Sequence, residues 1–117
     1  MNYENAKQEY INAAILQQRC SCDGNHKIAN QQYNVLKTIY TQIEQGKIEK
    51  EILIELLHND TIEVRMWAAA HMLGLQYEVP TAEQELQKIA TQPESGIIGF
   101  DAQMTLKVWR KKGFLNF

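Results

Sequence analysis

No stretch of this chain is apolar for more than a few residues, far short of the roughly 20 that a bilayer-spanning helix needs. The first ten residues, "MNYENAKQEY", show no basic lead-in followed by an apolar core, so no secretory signal is expected. Cysteine is scarce: Cys20 and Cys22 stand one residue apart. A disulfide across so small a ring would be strained, so both are read as free thiols in a reducing compartment. These absences predict a soluble, cytoplasmic chain. Neither sign of charge dominates either, with 12 Lys and Arg against 14 Asp and Glu, shared evenly along the sequence. That balance lacks the dense basic face of a phosphate-neutralising protein, which makes nucleic acid a poor partner. Missing too are a glycine-rich phosphate loop, an HExxH pair and a GxSxG elbow, three common carriers of chemistry.

Alternating β-branched residues are also absent, which argues against strands. What is present is helical periodicity, cut by Gly and by the two prolines, Pro80 and Pro93. With 117 residues, 44% of them apolar, one all-α domain over 1–117 is expected. A first helix is predicted over about Tyr3–Cys22 and a second over His26–Gln45, closed by Gly46 as the residue after its end. A third covers Lys50–Leu57. The fourth starts after "HND", with Asp60 and Glu63 spaced as a capping box, and ends at Gly74. Thr81 is expected to cap a fifth helix over Ala82–Thr91. A sixth runs Phe100–Lys112 and presents Met104, Leu106, Val108 and Trp109. Its last turns gather Lys107, Arg110, Lys111 and Lys112, where cations meet the negative end of the helix dipole.

Residues 50–75 repeat imperfectly over 82–110. Leu53, Leu56 and Leu57 match Leu86, Ile89 and Ala90 at a spacing of 33; Val64, Ala68 and Met72 match Ile98, Ala102 and Leu106 at 34. Each unit reads as a short helix, a polar turn and a second helix with small residues at its centre. The stretch "LLHNDTIEVRMWAAAHMLG" resembles the HEAT-type helical hairpin through Asp60, Val64, Arg65, Ala68 and Ala69. Together, "VRMWAAAHML" and "GFDAQMTLKVWRKKG" resemble a small bacterial family of HEAT-like helical domains, over roughly residues 48–113. The resemblance implies about six helices packed as antiparallel hairpins in a HEAT-like right-handed stack. It also implies that Asp60 and Arg65 tie neighbouring hairpins while the alanine pair packs.

Several residue groups invite a chemical reading. Cys20, Cys22, Asp23 and His26 are metal-ligating types. Their spacing suits neither a zinc ribbon nor a finger, and no second ligand pair follows, so a helix end is the better reading. His58, three residues after Glu55, and His71 lack a nucleophile motif beside them; His71 is read as a packed helix residue. Arg65 and Asp101, near the starts of matched helices, are read as an inter-repeat ion pair or cap rather than a ligand clamp. Trp67 and Trp109 are read as packing. No catalytic residue, metal or cofactor is therefore expected.

The acidic residues form two groups, Glu44, Glu49, Glu51 and Glu55, then Glu78, Glu83 and Glu85. They are candidates for contacting a basic partner, against the plainer reading of a solvated surface. The resemblance implies a cytoplasmic immunity protein that occludes a cognate toxin domain, such as a nuclease, in contact-dependent growth inhibition or a related system. The contact face would be the turn before the third helix and the loop after Gly74. A general HEAT-like scaffold is the alternative, and a nucleic-acid-binding repeat protein or small enzyme ranks last.

Overall fold

In a computed structural model, which describes residues 2–115 and 117, the chain forms six α-helices: α1 (Tyr3–Cys22), α2 (His26–Glu44), α3 (Glu51–Leu57), α4 (Ile62–Gly74), α5 (Val79–Thr91) and α6 (Ile97–Lys112). A single 3-10 turn, Pro93–Ser95, precedes α6, and no strand occurs among the described residues. None of these helices is long and apolar enough to cross a membrane.

The core is organised around α4. Ten of its residues are buried: Glu63, Val64, Met66, Trp67, Ala68, Ala69, Ala70, His71, Met72 and Leu73. A helix with so wide an apolar surface has to be covered over most of it. It packs against α1, α3, α5 and α6, and α2 reaches it through Tyr33 against Trp67 and Tyr40 against His71. Close approach requires short side chains, and Ala68 and Ala69 are fully buried on α4 while Ala6, Ala13 and Ala14 line α1. Leu36, Ile39 and Ile43 of α2, with Ile52, Leu53 and Leu56 of α3, fill the remaining volume. The matched units agree at two of three positions: Val64, Ala68 and Met72 are buried, as are Ala102 and Leu106, while Ile98, the counterpart of Val64, is half-buried.

Local chemistry explains most of the helix boundaries. Asn2 caps α1 by accepting from the Asn5 amide at 2.8 Å. Gly46 follows the end of α2 at φ 79°, the left-handed conformation that glycine enters without a Cβ clash. Three boundaries differ from the sequence reading. The cap of α4 is Thr61, with no side-chain cap bond, so Asp60 and Glu63 form no capping box. Instead the Thr61 amide donates to Asn59 Oδ1 at 2.8 Å, and Arg65 Nη1 donates to the carbonyls of Asn59 and Asp60, both at 2.9 Å. Helix α5 begins at Val79, and Pro80 sits inside its first turn, where a missing N–H costs nothing; Thr81 is therefore not its cap. Helix α6 begins at Ile97, three residues before Phe100, directly after Gly96 at φ 57°.

Two glycines serve close approach. A Cβ on Gly99 would meet Ser95 Cβ at 3.0 Å and the Ile89 carbonyl at 3.2 Å, where α6 abuts α5. A Cβ on Gly74 would meet the Phe117 ring at 2.5 Å and the Tyr40 hydroxyl at 2.8 Å. The central alanines generate a direct expectation. Ala68→Leu, placed in a fully enclosed position, is expected to lower stability by about 1–3 kcal/mol through overpacking. Urea denaturation measures this, and an unchanged midpoint would contradict the close-packed role.

Candidate partner-binding surface

Four of the acidic candidates come together around two tyrosines. Tyr3 of α1 donates its hydroxyl to the Glu55 carboxylate of α3, and Lys7 Nζ lies 3.9 Å from the same group. Burial pushes the Tyr3 phenol well above its ordinary range, helped by Glu55, Glu49 and Glu4. Tyr77, in the α4–α5 loop, is raised by burial and then by Glu51 and Glu78, with Lys50 Nζ 5.9 Å from its ring centre. Glu49, Glu51, Glu55 and Glu78 are all exposed. Glu44 is exposed at the end of α2, where it adds to the burial that raises Tyr40. The second sequence group is split. Glu83 and Glu85 of α5 are half-buried; Glu83 pairs with Arg110 of α6 at 3.8 Å, and Glu85 has one buried oxygen without a hydrogen-bond partner.

The structural residues of the HEAT-like motif act differently from the inter-hairpin tie that the resemblance implies. Arg65 holds the loop that leads into its own helix, and Asp60 contributes its carbonyl while its side chain is exposed. Asp101 does not meet Arg65; burial raises the pKa of its half-buried carboxyl, and Gln18 of α1 opposes that in part. Glu63 pairs with Arg19 of α1 at 3.7 Å. Val64, Ala68 and Ala69 are fully buried.

A surface that the sequence reading did not single out lies on α6. Ile97, Phe100, Met104 and Val108 are 63%, 59%, 41% and 36% exposed, although Met104 and Val108 were expected to belong with Leu106. Leu106 and Ala102 point into the core and are buried. The spacing 97, 100, 104, 108 is itself a helical stripe, so α6 is apolar on two sides. That double periodicity was the available signal. Beside the stripe, α4, α6 and the C-terminal residues enclose a groove of about 350 Å³, walled by Met66, Trp67, Ala70, Phe114 and Phe117.

The remaining chemical candidates are engaged otherwise. His71 is enclosed; its Nδ1 is 2.7 Å from the Tyr10 hydroxyl, and the rings of Tyr40, Trp67 and Phe117 surround it with centres 4.7, 5.5 and 4.7 Å away. Burial lowers its pKa to about 3. His58 places Nδ1 2.8 Å from the Ile54 carbonyl, so that nitrogen carries the proton and donates. Trp67 is buried and its indole N–H donates to Gln17, while Trp109 is half-buried. Cys20 and Cys22 are free thiols, and no three metal-ligating side chains converge among the described residues. No family model, curated protein or solved structure matches the chain.

The enclosed histidine sets a pH dependence. Folded His71 stays neutral down to about pH 3, whereas the unfolded residue takes up a proton near its ordinary value of 6.5. Stability is therefore full above about pH 6.5 and falls as pH drops from there towards 3. Relative to His71→Gln, the wild-type chain is expected to lose roughly 2.5 kcal/mol more between about pH 7.5 and about pH 4.5. Denaturant titrations at both values test this, and parallel losses in the two proteins would contradict it.

Proposed function

We propose that this protein works by holding another protein's surface, as a HEAT-like immunity protein that occludes a cognate toxin domain in the cytoplasm. The observation that carries the reading is the outward apolar stripe of α6, Ile97, Phe100, Met104 and Val108. Contiguous exposed apolar residues with a polar border mark protein contact sites. HEAT-like stacking is supported by the matched burial of Ala68 and Met72 with Ala102 and Leu106, and by the packing of α4 against α5, which joins the two units. The immunity role is supported by the family resemblance. Occlusion of this kind needs a rigid preformed surface, and the close packing around α4 supplies the rigidity.

A second reading places a basic toxin cleft on the acidic side instead. It is favoured by the exposed carboxylates of Glu51 and Glu78 beside Tyr77 and of Glu49 and Glu55 beside Tyr3, since clustered charge steers association with an oppositely charged partner.

Co-expression with the toxin domain encoded beside its gene tests both readings. Growth rescue by the wild-type chain is expected, with loss of rescue and of pull-down in Met104→Glu/Val108→Glu. Glu51→Lys/Glu78→Lys is expected to retain both. Loss in the second variant alone, with unchanged thermal melting, would move the contact to the acidic side, and absence of both rescue and binding in the wild type would remove the immunity role. Glu55 is unsuited to this comparison. Because it anchors Tyr3 and Lys7 of α1, Glu55→Lys is expected to lower the melting temperature measurably, where Glu51→Lys leaves it within error.

A further inference from the structure

The stripe on α6 has a charge pattern that restricts what can cover it. Lys107 and Lys111 follow Phe100 and Met104 by seven residues, two helical turns, and so share their side of the helix. Lys112 follows Val108 by four and lines the neighbouring groove. All three lysines are exposed and none takes part in an ion pair among the described residues. Lys107 and Lys111 also border the cleft between α5 and α6 together with Arg110, which is paired with Glu83 there. The one acidic residue of α6, Asp101, is half-buried. The exposed side is therefore apolar along its length and purely basic towards its C-terminal end.

From Ile97 to Val108 the stripe spans about 16 Å, roughly three turns of a partner helix. Next to it the groove walled by Met66, Trp67 and Phe114 is concave. Resting on the partner-binding reading above, we infer that α6 and this groove receive an acidic amphipathic helix of a partner protein. Such a helix would set apolar residues at i, i+3, i+4 and i+7 against Phe100, Met104 and Val108. Its carboxylates would meet Lys107, Lys111 and Lys112. A second copy of this chain fits less well, because two α6 stripes facing each other bring lysines against lysines or against apolar residues, and the nearest exposed acid, Glu94, lies before the helix rather than along the stripe. A membrane fits less well because a groove complements a ridge and not a plane.

Selection of short helical peptides from a displayed library against the full chain tests this. The expected winners carry net negative charge and the i, i+3, i+4, i+7 apolar spacing. Their binding is expected to fall roughly tenfold or more in Met104→Glu/Val108→Glu, and also in Lys107→Glu/Lys111→Glu, with both variants melting as wild type. Rising salt should weaken it as well. Neutral or basic winners, no enrichment, undiminished binding to either variant, self-association through α6 in sedimentation, or α6-dependent capture by phosphatidylserine vesicles in place of peptides would each overturn the inference. Failure here is separable from failure of the parent reading. If Met104→Glu/Val108→Glu loses toxin rescue while no acidic helix is selected, the inference falls and the parent reading stands. If rescue survives in that variant while acidic helices are selected and depend on α6, the parent assignment falls and the chemistry of the face stands.

Discussion

Because most of α4 is buried, α1, α3, α5 and α6 are each placed by how closely they can reach that helix, and α2 packs chiefly on α1. The alanines at 68–70 and those of α1 shorten the distance, and dispersion contacts at close range reward the approach. Such an arrangement tolerates little change in volume. Rigidity at the surface follows from crowding at the centre, and a surface that is already ordered loses less entropy when another molecule settles on it.

The same enclosure accounts for the two polar residues in its midst. A buried hydroxyl and a buried imidazole would each be costly alone. Tyr10 and His71 satisfy one another across α1 and α4, and the surrounding rings exclude water from the pair. A histidine so placed has given up the proton exchange that makes imidazole chemically useful near neutrality. Its role is to fix the register of two helices.

Much of the fold was legible in the residues because it depends on local rules. The number of helices follows from apolar periodicity interrupted by glycine and proline, and Gly46 closes α2 as its backbone freedom requires. The starts of α4 and α5 were misplaced because side-chain caps were expected where other devices operate, and that of α6 because a glycine and no capping side chain precedes it. Arg65 reaches back to carbonyls, Pro80 is tolerated inside a first turn, and Gly96 turns the chain. Reciprocal capping depends on loop geometry that spacing alone does not specify. The acidic residues were visible as charges, yet whether each was spent internally was not. Glu55 belongs to Tyr3 and Lys7, and Glu83 to Arg110, pairings that arise only once distant segments meet. The α6 stripe was overlooked because a helix with two apolar sides reads like one with a broad core side until its neighbours are placed.

Gly46 and Gly74, which both stand at helix ends, would accept different substitutions. Gly46 has open space around it and a left-handed backbone, so asparagine, which visits that conformation at modest cost, is a workable replacement. Gly74 closes α4 with its missing side chain occupied by the Phe117 ring and the Tyr40 hydroxyl. No larger residue fits there unless the aromatic lid over His71 is rebuilt, so in any homologous chain the identity of residue 74 should vary together with residues 40 and 117.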